Sequence, residues 1–277
     1  MKIGTHPFDF ERPYIVGILN VTPDSFSDGG MYLEAGRAVE RGLALAREGA
    51  DIIDVGGEST RPGSDPISAD EEKARVLPVI RSLSAQGDVP LSIDTAKADV
   101  AEAALAEGAC LVNDVSGLRG DPGMARVAAR AAACLIVMHS RGTPRDMQQR
   151  VRYEDLHKEI SGELARCMEM ALEAGVEREK IIVDPGIGFA KGPAHNLRIL
   201  GSLGFLEALG RPILVGPSRK SFIGAVTGAP VEDRLGGTAA AVAAAVLAGA
   251  HFIRVHDVHV MRQAALVAHA IRKAGKG

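Results

Sequence analysis

The chain has 277 residues, of which 46% are hydrophobic and 24% charged, and its formal net charge is −3. Such a length is enough to bury a core without disulfide bonds, and the charge gives no sign of a nucleic-acid or membrane partner. The composition is that of an ordinary soluble globular protein, and the length predicts one domain over residues 1–277.

The three cysteines, Cys110, Cys134 and Cys167, are odd in number and scattered along the chain. None of them has the C-x-x-C spacing of a redox pair or a zinc site. We therefore predict reduced, partly buried thiols in a cytoplasmic protein, without a role in metal binding or catalysis. The first residues form no long apolar stretch, so no signal peptide is expected.

Apolar, β-rich runs alternate eight times with longer runs of helical period. The predicted strands cover residues 14–19, 51–55, 90–94, 110–113, 134–138, 180–184, 211–216 and 252–255. The predicted helices cover residues 34–48, 69–85, 97–107, 121–131, 153–174, 194–208, 230–248 and 258–273. Strict alternation predicts a parallel sheet with helices outside, here an α/β fold of the (β/α)8 TIM barrel type.

Local signals support several of these boundaries. Ser68 and Glu71 have the spacing of a capping box at the start of the second helix. Gly49, Gly108 and Gly249 each follow a helical run, as C-cap glycines do. Residues 235–253 contain no Asp, Glu, Lys or Arg, but their weak hydrophobicity favours a buried barrel helix over a membrane span.

The chemically reactive residues fall in eight motifs, each at the end of a predicted strand. In a barrel of this type the active site is built from the loops that follow the strands, so the spacing predicts one shared pocket. The motifs cover residues 20–30, 54–63, 92–95, 113–114, 138–139, 184–189, 216–221 and 254–257.

Polar side chains end the third, fourth and sixth strands at Asp94, Asn113 and Asp184. A carboxylate can accept two parallel hydrogen bonds from an amino-pyrimidinone edge, and an amide can read both donors and acceptors. Capping of the following helix is the alternative role for each residue taken alone. Together with Lys220 on the loop after strand seven, the three favour a ligand site.

Lys220 follows strand seven, and Arg254 and His256 are two residues apart on strand eight and so point the same way. We expect the three to form a cationic wall, since barrels often bind anions near strands seven and eight.

Asn20 ends strand one, where its amide oxygen could bind Mg²⁺ beside a diphosphate; a purely structural role is the alternative.

The loops after strands one and two are long and rich in Gly, Ser, Thr and Pro, as lids over a barrel mouth are. Phe26 and Phe189 are loop aromatics that could close on an aromatic substrate or pack a loop against the barrel.

His139 is interpreted as a rim histidine with a structural role. No Gly-x-Ser-x-Gly elbow is present, so acyl transfer through a serine nucleophile is not supported.

Six of the motifs, in this order within residues 14–260, resemble those of the bacterial dihydropteroate synthases. The resemblance implies a transferase of folate synthesis. Such enzymes join 4-aminobenzoate to 6-hydroxymethyl-7,8-dihydropterin diphosphate and release 7,8-dihydropteroate and diphosphate. It also implies a homodimer, with the helix at 236–249 or the last helix as interface, and competitive inhibition by sulfonamides, which mimic aminobenzoate.

By matching positions, the resemblance assigns three groups of binding residues. The pterin ring would be held by Asp94, Asn113, Met138, Asp184 and Lys220. The diphosphate would be held by Asn20, Thr60, Arg254 and His256, with Mg²⁺ at Asn20. The aminobenzoate pocket would be shaped by Phe26, Thr60, Arg61, Pro62, Phe189 and Ser221. The reaction itself would depend on Asn20, Asp94, Lys220, Arg254 and His256, and residues 140–150 receive no role.

Two other functions compete with this one. A pterin-dependent methyltransferase of the same superfamily would also read a pterin with strand-end Asp and Asn, but it would need neither the anion wall nor both loop motifs. A non-catalytic pterin-binding paralogue would be marked by lost loop residues, and both loops retain their motifs.

Overall fold

The computed structural model describes residues 1–22, 31–61 and 63–275, with the backbone alone at 31–34. A short N-terminal hairpin consists of β1 (Lys2–Ile3) and β2 (His6–Pro7). The barrel strands are β3 (Tyr14–Asn20), β4 (Ile52–Gly56), β5 (Leu91–Asp94), β6 (Leu111–Asp114), β7 (Cys134–Met138), β8 (Ile181–Asp184), β9 (Leu214–Val215) and β10 (Phe252–Val255).

The barrel strands are all parallel and follow the order β8-β7-β6-β5-β4-β3-β10-β9. A bridge between Val183 and Ile213 joins the two ends of this order, and the Val183 N–H donates to the Pro212 carbonyl at 3.0 Å. The predicted eight-stranded barrel is confirmed. Strand seven is shorter than predicted, because Pro212 and Pro217 flank it and lack the N–H that a ladder needs.

The helices in the described residues are α1 (Met31–Arg47), α2 (Ala69–Gln86), α3 (Ala98–Ala106), α4 (Met124–Arg130), α5 (Leu156–Glu173), α6 (Pro193–Gly201), α7 (Ser221–Thr227), α8 (Leu235–Leu247) and α9 (Val258–Ala274). Two predictions need correction. The helix expected over 194–208 ends at Gly201 and is followed by a 3₁₀ helix at Gly204–Leu209. Helix α7 follows the seventh strand directly and was not predicted.

The predicted helix-end signals are found in the structure, although the helix expected over 230–248 begins only at Leu235. Gly49, Gly108 and Gly249 have φ angles of +98°, +111° and +111°, which residues with a Cβ rarely adopt. Ser68 accepts a hydrogen bond from the Glu71 N–H at 3.1 Å and so caps α2. The reciprocal half of the capping box is absent from the described contacts, since the Glu71 carboxylate accepts from Arg75 instead.

Side chains alternate along each strand between the barrel interior and the helical layer. Interior positions near the amino ends of the strands are apolar and form one buried cluster with Ile3 and Phe8 of the hairpin segment: Tyr14, Val16, Ile52, Leu111, Cys134, Ile136, Ile182, Leu214 and Phe252. Tyr14 packs edge-on against Phe8, with ring centroids 4.6 Å apart. Because this end is filled, the polar interior positions at the carboxyl ends are left to form the site.

The structure also describes the segment at 235–253 and the three cysteines. Residues 235–253 contain α8 and the start of β10, and in the described chain no helix is long and apolar enough to cross a membrane. All three cysteines are free; Cys134 and Cys167 are buried and Cys110 is half-buried. Burial raises the pKa of the Cys134 thiol to about 12, so this sulfur is a poor nucleophile.

Candidate active site

The Arg254 guanidinium lies at the centre of a buried polar cluster at the carboxyl ends of the strands. Its Nε donates to Asp54 Oδ2 at 2.6 Å, and its Nη2 donates to Asp94 Oδ2 at 2.5 Å. The Asn113 amide also donates to Asp54 Oδ2, at 2.9 Å. All four residues occupy interior positions on β4, β5, β6 and β10, so the register of the barrel brings them together.

Two buried carboxyl groups share this single guanidinium. Burial raises the pKa of Asp94 to about 7, an effect that Arg254 opposes and the neighbouring Asp54 strengthens. The Oδ1 atoms of Asp54 and Asp94 are buried, and in the described residues neither has a hydrogen-bond partner. Buried acceptors of this kind are costly unless a donor satisfies them. The cluster is therefore arranged to receive N–H donors of a ligand.

Asp184 and Lys220 form the second part of the site. Asp184 Oδ1 accepts from the Gly186 N–H at 2.6 Å, and burial raises the pKa of this carboxyl to about 6. Burial also lowers the pKa of Lys220 to about 8, with the Arg254 charge acting in the same direction. The Lys220 charge acts to lower the pKa of Asp184, and the Asp184 charge acts to raise the pKa of Lys220. The two groups are therefore within electrostatic reach of each other, as predicted.

An aromatic ring lies beneath the Lys220 ammonium. The Nζ atom is 4.3 Å from the centroid of the Phe189 ring, a cation–π geometry. Phe189 and Met138 belong to one small apolar cluster with Met147 and Ala190. Gly188, at φ +83°, passes so close that a Cβ there would lie 3.0 Å from Lys220 Cδ. Phe189 and Met138 thus form an apolar surface beside the charged groups.

The expected cationic wall is only partly present. His256 Nδ1 lies 2.9 Å from the Ser218 hydroxyl, which also accepts from the His256 backbone N–H at 3.3 Å. The hydroxyl can donate to Nδ1, and in that arrangement Nε2 carries the ring proton. Burial and the Arg254 charge lower the pKa of His256 to about 3, so this histidine is a neutral donor and the prediction of a third cation is wrong.

The second loop is anchored by ion pairs. Lys97 donates to Glu58 Oε2 at 2.8 Å and to the buried Glu72 Oε2 at 2.5 Å, and Glu58 Oε1 accepts from the Ile67 N–H at 2.9 Å. Thr60 is half-buried and Arg61 is exposed. Gly63 donates to the Pro144 carbonyl at 3.0 Å, which joins this loop to the one after β7.

Three further residues were predicted to shape the aminobenzoate pocket. Ser221 is exposed and begins α7 directly after Lys220. Phe26 and Pro62 lie outside the described residues.

Asn20 is the last residue of β3, half-buried and in the interior register of that strand. In the part of the chain that the structure describes, no three His, Cys, Asp or Glu side chains are arranged to hold a metal. Magnesium prefers oxygen ligands and keeps several waters. Asn20 therefore fits an ion bound mainly through a diphosphate, and it does not fit an all-protein metal cage.

Several residues of the site were not predicted to act in it. Asp54 is fully buried and pairs with Arg254, although the sequence reading assigned it no role. A signal was available, since Ile52, Asp54 and Gly56 alternate on the interior face of β4. Ser218 carries no comparable pattern, because its partner His256 is 38 residues away in the sequence. His139 is fully buried, which agrees with the structural role predicted for it.

Residues 16–256 match the model of the pterin binding enzyme family. With its barrel and its strand-end carboxyl groups, the chain belongs to that family. The chain is 45% identical over 273 residues to the dihydropteroate synthase of Synechocystis sp., which covers 98% of this chain and 94% of the relative.

Two solved structures of dihydropteroate synthases are also similar to this chain. A Yersinia pestis dihydropteroate synthase in a sulfonamide drug complex superposes with a TM-score of 0.93 at 40% identity, over 99% of each chain. A Xanthomonas albilineans dihydropteroate synthase in complex with 7,8-dihydropteroate superposes with a TM-score of 0.86 at 40% identity, over 96% of this chain and 95% of that one.

Proposed function

We propose that this chain is the transferase that joins 4-aminobenzoate to 6-hydroxymethyl-7,8-dihydropterin diphosphate, with release of 7,8-dihydropteroate and diphosphate. The observation that carries the proposal is the set of groups at the barrel mouth: the buried Asp94, Asn113, Asp184 and Phe189, and the half-buried Lys220. The relatives, which the chain matches over nearly its whole length, carry the name dihydropteroate synthase.

The pterin ring is the ligand that these groups fit best. Its amino-pyrimidinone edge offers adjacent N–H donors, and the unpartnered Asp94 Oδ1 and the Asp184 carboxyl are acceptors at the barrel mouth. The Lys220 ammonium supplies the donor for the ring carbonyl or a ring nitrogen. Asn113 and Met138 border the same space, with the apolar surface of Met138 and Phe189 against the ring.

The diphosphate would lie on the side of β10. Arg254 supplies positive charge, although Asp54 and Asp94 already hold its guanidinium. The Nε2–H of neutral His256 donates a hydrogen bond, and Asn20 and Thr60 supply polar atoms from the neighbouring strand and loop. Bound Mg²⁺ would neutralise the leaving group, with Asn20 as its protein ligand.

The aminobenzoate would be bound between the loops and the pterin. Phe26, Thr60, Arg61 and Pro62 of the first two loops would close over it, with Phe189 and Ser221 completing the pocket. Sulfonamides would compete for the same place. Binding of this kind would give the two long loops predicted from the sequence a role beyond that of the strand-end groups.

The residue types suit a reaction in which the diphosphate leaves first. The arylamine is a weak nucleophile, and no strong base is needed once the diphosphate has left. A pterin cation would be stabilised by the buried carboxylates, so the protein would supply leaving-group stabilisation, positioning and exclusion of water. The two loops would order around the aminobenzoate after the diphosphate is bound.

Diphosphate release tests both the function and this order. We expect the protein to form 7,8-dihydropteroate from the two substrates, and to release diphosphate slowly when aminobenzoate is left out. The measurement is a coupled diphosphate assay with and without aminobenzoate. A strict need for both substrates before the bond breaks would contradict the dissociative order. Pterin binding without any diphosphate release would instead indicate a binding paralogue or a methyltransferase.

We further propose that the protein is a homodimer that works in the cytoplasm as one unit over residues 1–277. Large apolar side chains on α8 and α9 are exposed: Leu247 at 46%, Val267 at 61% and Ile271 at 59%. Exposed apolar residues on adjacent helices are typical of an interface. The free thiols agree with a reducing compartment.

Substitution on this face tests the assembly. We expect Val267→Lys together with Ile271→Lys to give a monomer, because a charge in an apolar interface must be desolvated without a partner. Sedimentation or light scattering would measure the mass, with Val226→Lys, an exposed valine on α7, as the control. A wild-type monomer at micromolar concentration would refute the proposal.

A further inference from the structure

The segment after β8 is held by side chains instead of a backbone ladder. Consecutive carbonyl oxygens of residues 188–192 each accept a hydrogen bond from a side chain. The donors are Gln148 to residue 188 at 3.1 Å, Lys191 to residue 189 at 2.8 Å, Tyr153 to residue 190 at 3.0 Å, and Asn196 to residues 191 and 192 at 3.3 and 3.0 Å. This segment carries Phe189, so its placement decides where the ring beneath Lys220 lies.

Among these four donor residues, Lys191 is the buried cation, and 3% of its surface is exposed. Its Nζ atom lies 2.8 Å from the Phe189 carbonyl oxygen, 2.8 Å from His139 Nδ1 and 3.3 Å from the His139 carbonyl oxygen. Three acceptors match the three N–H bonds of an ammonium group. A buried ammonium is tolerated only when it is satisfied in this way.

A chain of polar and charged groups continues behind Lys191. Since His139 Nδ1 accepts from Lys191, its other nitrogen carries the ring proton, and Nε2 lies 3.2 Å from Glu163 Oε2. The Arg141 Nε donates to Glu163 Oε1 at 3.0 Å. Burial lowers the pKa of Lys191 to about 7, while the carboxylates of Asp184 and Glu163 act to raise it. His139 and Glu163 thus link Lys191 to Arg141, and the Asp184 carboxylate links it electrostatically to the barrel mouth.

The turn that leads to Phe189 fits closely against the end of β7. Gly186 has a φ angle of +70°, and a Cβ there would lie 1.9 Å from the His139 carbonyl oxygen and 3.3 Å from Lys191 Nζ. Lys191 therefore joins the end of β7, through His139, to the turn that begins at Asp184 and ends at Phe189. Without its ammonium, two carbonyl oxygens and one imidazole nitrogen would remain buried without this donor.

We propose that Lys191 is a positioning residue for the pterin site, which fixes the Phe189 backbone and thereby holds the ring beneath the Lys220 ammonium. The inference rests on the proposed function, because it takes Phe189 and Lys220 as parts of a pterin site. Lys191 itself touches neither substrate; it acts through Phe189.

A double-mutant cycle tests this role. We expect Lys191→Met to weaken binding of the pterin diphosphate about tenfold, the equivalent of one lost charged hydrogen bond. In a Phe189→Leu background the same change should cost no more than about twofold, because coupled residues are not additive. The measurement is the pterin dissociation constant without aminobenzoate. Lys158→Met, an exposed lysine on α5, is the matched control and should bind as wild type does.

Additive losses in the two backgrounds, or wild-type pterin affinity in a folded Lys191→Met protein, would overturn the role. Where Lys191→Met fails to fold, Lys191→Gln removes the charge but keeps two N–H donors; its loss of pterin affinity should be less than tenfold and should disappear in the Phe189→Leu background, and a loss that persists there would overturn the role. Failure of the proposed function looks different, since the wild-type protein itself would then neither bind the pterin diphosphate nor turn it over.

Discussion

Lys220→Met is expected to abolish most pterin binding while the protein remains folded. The ammonium lies 4.3 Å from the Phe189 ring and within electrostatic reach of Asp94 and Asp184, so it both donates to the ligand and balances the carboxylates. Loss of a charged hydrogen bond and the cation–π contact together should lower kcat/KM roughly 100-fold. Steady-state kinetics and pterin binding measure the effect.

The same lysine predicts a pH dependence. Its pKa is lowered to about 8, so the ammonium is present below that pH and is lost as the pH rises through it. KM for the pterin substrate should therefore increase above about pH 8 in the wild type and stay level there in Lys220→Met.

Lys180→Met supplies the control, because Lys180 makes a surface ion pair with Glu177. A Lys220→Met enzyme with wild-type kcat/KM would remove Lys220 from the site, and an unchanged alkaline limb in that variant would assign the titration to another group.

Arg254→Met should be the most destabilising single change at the site. It removes the guanidinium that Asp54 and Asp94 share, and it leaves the two buried carboxyl groups without their hydrogen-bonded cation. Breaking a buried ion pair by removing one partner costs about 3–5 kcal/mol. Activity should fall as well, because the diphosphate loses its nearest guanidinium. Urea unfolding and steady-state kinetics measure the two effects separately.

The loss of stability should depend on pH in a defined direction. The folded-state pKa of Asp94 is already raised to about 7 from its ordinary value, so the folded protein binds the extra proton and stability falls as the pH rises from about 4 to 7. Without Arg254 that pKa rises further. The difference between wild type and Arg254→Met should therefore be larger at pH 8 than at pH 5.

Asp54→Asn in the Arg254→Met background is the matching control. It removes one of the two carboxylates and should recover part of the stability at pH 8. A stability difference that does not change with pH would show that the cost comes from lost packing alone and not from the carboxylates.

The barrel could be predicted from the sequence because its signals are local. Seven of the eight predicted strands agree with the structure to within one residue, and strand-end residues such as Asp94 and Asp184 follow apolar runs that only a parallel sheet explains. Positive-φ glycines such as Gly108 mark helix ends through their own backbone preference. Helix α7 was missed because it is short, and its Ser221–Thr227 segment has no apolar period long enough to detect.

The sequence by itself therefore determined the barrel, the rim on which the site lies and most of the residues that face it. These follow from the period of two in strands and from the single direction of parallel strands. Only the tertiary structure decided how those residues are paired and charged. Arg254 meets Asp54 across 200 residues of chain, and His256 is neutral because burial and Arg254 act on it. Lys191 contacts His139 across 52 residues, and its neighbours along the chain give no sign of that contact. Pairings and pKa values of this kind depend on distance and burial, which no local pattern encodes.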